Sequence, residues 1–438
     1  GAGKTVIRLQ IAKHVREWNR EHPDKRLAVV HYDDFNPFLD RFADRQHGRR
    51  RPDRVLAQWK LWDHLDAILA LTVTGLVDRV LESQQRPERV DIEAVPRDVE
   101  RLDRFQARDL LLLAACYDQS TAETYVSRWH RLRKLADFSV VFSYWDTALG
   151  IGWTVFYVLL LSMLRYYGWL TTLSPFLLHV ILLLAGWGPW AWRSARTWWT
   201  ARKIVANVRV SNLAVSQVYR VLKRFQTAEI TSQPLPTSAR SDDRYEMLEK
   251  LLGILRTWKH PGLLILVDRV DEPHLINGSP ELMRALIWPM LDNKFLKYPG
   301  IGLKLMLPIE LYRFVEKEGS EFYQRARLDK QNLVSTFDWT PEALVDVANA
   351  RIAACRGEGG RGGLRDWIDP AVGDRRLVEA IGSLRVPRHV FKFLYRLLVA
   401  HCHAHSAEQP SWKVGPELFE TTLAIYRRDQ QMLDRGLN

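Results

Sequence analysis

Two long stretches without Asp, Glu, Lys or Arg dominate the polarity pattern of this chain, about Ala148–Leu164 and about Trp169–Trp192. A membrane-spanning helix takes roughly 17–25 apolar residues, so the first stretch is at the short limit and the second is comfortable. Elsewhere apolar positions recur at helical spacing or bunch into short runs. Helices are predicted from Thr5 to about Asn19, around Val55–Leu81 and Ala107–Leu135, over Ala201–Phe225, Arg244–Trp258 and Glu281–Asp292, and from Ile309. Short apolar runs predict strands at Leu27–Tyr32, Gly262–Val267, Gly302–Leu307 and Leu333–Trp339. Strands alternating with helices imply an α/β fold with a parallel sheet, whose covered strands read as continuous apolar runs. From Thr340 onward the pattern is wholly helical, with Thr340 placed to cap and Pro341 suited to the first turn. Gln226–Asp243, with two prolines and many Ser and Thr, reads as a linker.

The ends of the two uncharged stretches are aromatic. Trp153, Tyr166, Tyr167, Trp169, Trp187, Trp190 and Trp192 cluster there as an interfacial belt would. Arg128, Arg131, Arg133 and Lys134 precede the pair, Arg193, Arg196, Arg202 and Lys203 follow it, and only Arg165 lies in the connection. By the positive-inside rule both flanks are cytoplasmic and the loop around Arg165–Ser174 faces the other side. The rival reading is a buried helical hairpin of a soluble core. Across 438 residues, enough for about two to three domains, 63 Lys and Arg against 51 Asp and Glu give +12. That balance suits phosphates, anionic headgroups or nucleic acid. The basic stretch Arg45–Arg54 has no interleaved aromatic residue for base stacking, which disfavours nucleic acid and suits a solvated or headgroup-facing loop. Cys116, Cys355 and Cys402 are too scattered for a disulfide framework and fit a reducing compartment.

The candidate chemistry lies at the two ends of this pattern. Gly1-Ala2-Gly3-Lys4-Thr5 is the closing half of G-x-x-x-x-G-K-[ST]. Gly3 would let backbone amides approach phosphate oxygens, Lys4 would sit between β- and γ-phosphates, and Thr5 would offer its hydroxyl to Mg²⁺. The helix that follows points its N-terminal dipole at the anion. The strand that normally enters such a loop would lie upstream, so the chain is read as a fragment of a longer protein. Leu263–Val267 runs into Asp268, the placement that delivers one carboxylate to a Mg²⁺ shell. Asp271 and Glu272 follow, and one of them, Glu272 by preference, would polarise an attacking water.

Gly3-Lys4-Thr5 together with Asp268-Arg269-Val270-Asp271-Glu272 resembles P-loop NTPases of the STAND and AAA+ neighbourhood, the acidic segment being similar to the NACHT-type motif. An uncharged pair of spans between the two nucleotide motifs resembles the KAP group, as does Phe35-Asn36-Pro37-Phe38; the Asp-Asp-Leu-Asp style run common in that group is not present. The resemblance implies ATP and Mg²⁺ as cofactors, with Thr5 and Asp268 on the metal. It also implies that an arginine before the last strand, Arg325 or Arg327, reaches a neighbouring subunit's γ-phosphate, and that Val386-Pro387-Arg388 places Arg388 as a lid sensor. Ordinary surface arginines are the alternative for Arg325 and Arg327. The strand near Leu303–Leu307 ends in Pro308, Ile309 and Glu310, without the Asn, Ser or Thr that relatives use to position water.

Taken together, the expected fold is a parallel-sheet P-loop NTPase core with an inserted two-helix transmembrane hairpin and a C-terminal α-helical lid. The expected domains are residues 1–42 and 244–339 (core), 43–147 (helical insertion), 148–192 (hairpin), 193–243 (juxtamembrane helix and linker) and 340–438 (lid). The expected function is a membrane-anchored signalling or assembly switch that binds and hydrolyses ATP. Its partners would be nucleotide, the lipid bilayer, a homo-oligomer and a protein effector, with both ends cytoplasmic at a bacterial inner membrane. The alternatives are a non-hydrolysing membrane scaffold and a nucleic-acid-dependent ATPase. Arg356–Gly363 reads as a flexible turn rather than a phosphate loop, and His401, His403 and His405 as a polar helix end rather than a metal site.

Overall fold

The computed structural model describes residues 3–46, 51–83, 89–94, 96–139, 145–168, 176–231, 233–319, 321–322, 326–328, 333–334, 338–355, 357, 362–405 and 410–434. The chain divides into two compact units, Ile11–Asp329 and Gly1–Gln10 with Lys330–Asn438.

The larger unit is built on a four-stranded sheet. Helix α1 (Lys4–Glu21) leads to β1 (Leu27–Tyr32), followed by α2 (Asn36–Asp44), α3 (Pro52–Leu56), α4 (Leu61–Val80) and β2 (Val90–Asp91). Then come α5 (Pro96–Val99), α6 (Arg104–Tyr117), α7 (Tyr125–Leu135), α8 (Trp145–Tyr166), α9 (Phe176–Ala185) and α10 (Gly188–Asn207). The rest is α11 (Val215–Leu222), α12 (Thr227–Thr231), α13 (Asp242–Thr257), β3 (Gly262–Val267), α14 (Pro280–Ile287), α15 (Asn293–Leu296), β4 (Ile301–Leu305) and α16 (Ile309–Lys317). The strand order is β2-β1-β3-β4. β1, β3 and β4 are parallel, with Tyr32 opposite Val267 and Val267 opposite Leu305, and β2 pairs antiparallel on the outer edge.

Alternation along the strands sends side chains to two cores. Ala28, Val30 and Tyr32 of β1 and Leu263, Ile265 and Val267 of β3 join the large cluster with α4, α6 and α13. Val29 and Leu266 face the other way, onto Ala12 and Val15 of α1. Helices therefore cover both faces, as parallel sheets require. Val55 of α3, Leu65 and Leu76 of α4, Leu111 of α6 and Trp129 of α7 join the same large cluster as the strands. Buried ion pairs tie the helices together. Arg244 of α13 grips Asp66 of α4 through two bonds of 3.0 and 3.1 Å, and Tyr117 donates to the same carboxylate at 2.9 Å. Arg128 lies between Asp118 and Asp78, each at 2.9 Å.

The apolar stretches behave unequally. Among the described residues, α8 is the one helix long and apolar enough to cross a membrane, and its surface is largely exposed. The second expected span is not one helix in the described residues, and residues 169–175 lie outside them. α9 has ten residues, about 15 Å of rise against a hydrocarbon core of about 30 Å. A turn at Gly186 and Trp187 then leads into α10, whose first turn holds Pro189. Gly186 is needed there, since a Cβ would fall 1.9 Å from the Trp153 ring. α8 and this segment touch through Trp153 Nε1 to Leu182 O (2.9 Å), Tyr157 Oη to His179 Nδ1 (2.8 Å) and Trp187 Nε1 to Thr154 Oγ1 (3.0 Å).

Two further expectations change. The helix expected over Ala201–Phe225 stops at Asn207, whose amide donates to Lys203 O and Thr237 O, and resumes as α11 after the buried Val208, Val210 and Ser211. The expected linker Gln226–Asp243 contains α12 and packs, burying Ile230 and Leu235.

The second unit is helical. It contains α17 (Pro341–Ala354), α18 (Asp374–Gly382), α19 (Pro387–Ala404) and α20 (Pro416–Asp434) around Leu344, Ile381, Phe393, Phe419 and Leu423. Thr340 caps α17 by accepting from Ala343 N at 3.2 Å, with Pro341 in the first turn as expected. The strand expected at Leu333–Trp339 is not seen among its described residues, where Leu333 and Val334 are exposed; residues 335–337 lie outside them. Most of Arg356–Gly363 is also outside the described residues.

Candidate functional site

In open α/β sheets, ligands gather outside the carboxyl ends of the parallel strands. In the larger unit that edge collects Tyr32 at the end of β1 with Asp33-Asp34 after it, Asp268-Arg269 after β3 and Met306-Leu307-Pro308 after β4. The β1–β3 register sets the spacing. Asp268 N donates to Tyr32 O at 3.4 Å, and Met306 N donates to Val267 O at 2.9 Å. Asp268 is only 3 % exposed, and its Oδ1 accepts from Arg269 N at 2.9 Å. Arg269 has φ +57°, in the left-handed region, which turns the chain off the sheet directly after the carboxylate.

Asp271 and Glu272 stand in the loop that follows, both exposed, with Glu272 Oε2 3.7 Å from Arg269 Nη1. Two residues pin this loop. His274 N and Nδ1 lie 3.1 and 2.8 Å from Asn36 Oδ1, and His274 Nε2 lies 2.9 Å from Asp40 Oδ1. Asn36 is held in turn, its N–H donating to Asp34 Oδ1 at 3.1 Å, while Arg89 Nη2 donates to Asp34 Oδ2 at 2.6 Å. The Phe-Asn-Pro-Phe segment thus has a structural purpose: Phe35 and Phe38 are buried, and Asn36 clamps the acidic loop. This clamp was not legible in the sequence, because only the fold brings Asn36 to His274.

Beneath the strand end, His64 Nε2 lies 2.8 Å from Leu286 O, so that nitrogen carries the proton; Nδ1 then accepts from Tyr32 Oη at 3.1 Å. Burial pushes the His64 imidazole down to about 4. The ring is neutral in the fold and protonates readily only once unfolded. Its contribution to stability is therefore complete above pH 6.5 and lost as pH falls from 6.5 towards 4. Neighbouring Asp63, pushed up to about 6 by burial against the pull of Arg209, acts in the opposite sense over an overlapping range. The His64 contribution is isolated by comparison with His64→Gln in urea unfolding. The stability advantage of the wild type should shrink by about 2–3 kcal/mol between about pH 8 and about pH 4.5. A difference constant with pH would contradict this protonation state.

The other expected site residues belong to the second unit or lie elsewhere. Gly3 has φ +94°, and Ile7 N donates to Gly3 O at 3.0 Å, closing the first turn of α1. Lys4 and Thr5 occupy that turn, half-buried, and it contains no acidic residue. The positive end of its helix dipole suits an anion. Arg388 is the exposed second residue of α19. Arg327 is half-buried with φ +51°, whereas Gly1, Ala2 and Arg325 lie outside the described residues. The Asp268 carboxylate is an oxygen donor of the kind a hard cation such as Mg²⁺ takes. The histidine trio forms no such site. His401 Nε2 lies 2.8 Å from Ser411 O, and no group of three His, Cys, Asp or Glu ligands occurs among the described residues. His179 of α9, the one titratable residue among its apolar neighbours, has its Nδ1 2.8 Å from Tyr157 Oη. Comparison with protein-family models, with curated proteins and with solved structures found no match to this chain.

Proposed function

We propose that the chain is the core of a membrane-anchored P-loop NTPase that binds ATP with Mg²⁺ and acts as a signalling or assembly switch. The observation that carries the reading is Asp268. It is a buried carboxylate at the carboxyl end of the middle parallel strand, in a chain whose first helix opens with Gly3-Lys4-Thr5. In this reading Lys4 would hold the β- and γ-phosphates, Thr5 and Asp268 would hold Mg²⁺, and Glu272, with Asp271 as the alternative, would orient the attacking water. Bound Mg²⁺ would neutralise charge developing on the phosphates. Arg388 senses nucleotide from the helical lid, and Arg325 or Arg327 serves a neighbouring subunit. α8 crosses the bilayer and the segment through α9 returns the chain, leaving both flanks cytoplasmic. The proposal is tested by ATP affinity: Lys4→Ala in the intact protein should abolish binding, and unchanged affinity would overturn it.

A second reading, a non-hydrolysing membrane scaffold, is favoured by one observation. Met306-Leu307-Pro308 places no polar side chain at the end of β4, where water would need positioning. Within the basic stretch Arg45 is turned inward, donating to Val205 O and Ser211 O, whereas Arg51 and Arg54 are exposed; residues 47–50 lie outside the described residues.

A further inference from the structure

Helix α10 has two dissimilar sides. Thr197, Ala201 and Ile204 are buried, and the helix packs on α11. The other side exposes Trp192, Arg196, Trp198, Trp199, Arg202 and Lys203, with Trp192 73 % and Trp199 57 % exposed. The spacing 192, 196, 199, 203 is one stripe of an α-helix. α10 contains no Asp or Glu, and Arg196, Arg202 and Lys203 make no ion pair among the described residues. The Arg202 guanidinium instead lies 5.4 and 5.9 Å from the Trp198 and Trp199 rings. Arg193 differs. It points inward, bonding Asp146 at the base of α8 (2.8 Å) and the carbonyls of Phe225 (2.8 Å) and Lys223 (3.2 Å), and so fixes α10 to the foot of the apolar helix.

We infer that this face of α10 is a docking surface for anionic phospholipid headgroups, with the helix lying in the plane of the membrane interface. The inference rests on the reading of α8 as a membrane span. Two features select lipid over other polyanions. The stripe mixes indoles, which favour the boundary between headgroups and acyl chains, with cations that favour an anionic leaflet. α10 is also tied by Arg193 to Asp146 at the foot of α8, whose apolar surface is exposed. Charge complementarity then falls on phosphate-bearing headgroups, because all three outward ionic groups are basic.

The test places a nitroxide on the intact protein at Trp199→Cys, with the exposed Cys355 and Cys402 changed to Ser and the buried Cys116 retained. A second label at Leu159→Cys reports on α8. Reconstitution is into bilayers of phosphatidylcholine alone or with phosphatidylglycerol. The ratio of oxygen to nickel-chelate collision at position 199 should rise several-fold in the anionic bilayer. Arg196→Gln, Arg202→Gln and Lys203→Gln together should remove that rise. The Leu159 label should be immersed in both lipids. A water-exposed Leu159 label would overturn the membrane reading itself. An immersed Leu159 label with position 199 in water, or at a depth indifferent to phosphatidylglycerol and to the three cations, would overturn the docking surface alone.

Discussion

Glu272→Gln should lower ATP turnover by roughly 10²–10⁴-fold while leaving ATP affinity within about threefold. The amide keeps the size and hydrogen-bonding reach of the side chain but cannot take a proton from water. Glu272 is exposed in a loop that begins at the buried Asp268 and is pinned two residues after Glu272 by His274 on Asn36. Its nearest opposite charge, Arg269, is 3.7 Å away, a separation weak enough to leave the carboxylate available. Asp271→Asn is the matched control, and a larger loss there would move the role to Asp271. Phosphate release is the measurement. Absence of turnover in the wild type and both variants would instead establish the scaffold reading.

Arg244→Met should destabilise the larger unit by about 3–5 kcal/mol, read as a fall in urea midpoint. Arg244 and Asp66 are both fully buried, and the guanidinium also donates to Asn207 O at 3.1 Å and Arg240 O at 3.2 Å. Burial pushes the Asp66 carboxyl up despite Arg244, so without the guanidinium the acid is left unpaired beside the Tyr117 hydroxyl. Adding Asp66→Leu should recover much of the loss, because removing both partners avoids the unpaired buried charge. A single-variant loss below about 1 kcal/mol would mean that the pair does not organise α4, α6 and α13.

The strands that position the candidate site were legible. Leu27–Tyr32 and Gly262–Val267 were read residue for residue, because strands covered on both faces leave uninterrupted apolar runs. β2 was not, since two residues at a sheet edge carry no periodic signal. Hydropathy alone merged α9 and α10 into one span. Gly186, which admits the Trp153 ring, and Pro189, which starts a new helix, divide them in space. Leu333 and Val334 looked like a buried strand but are exposed. Within the site, Asp268 could be found from its strand, whereas the Asn36–His274 clamp and the Tyr32–His64 bond could not. Each joins residues that only tertiary folding makes neighbours.

Equilibrium binding of ATP to the intact protein, with and without Mg²⁺, bears most directly on the nucleotide assignment. Mg²⁺ should strengthen binding at least about tenfold. Asp268→Asn should remove the Mg²⁺ dependence, and Lys4→Ala should remove binding altogether. ATP affinity indifferent to Mg²⁺ and unchanged in both variants would contradict that assignment.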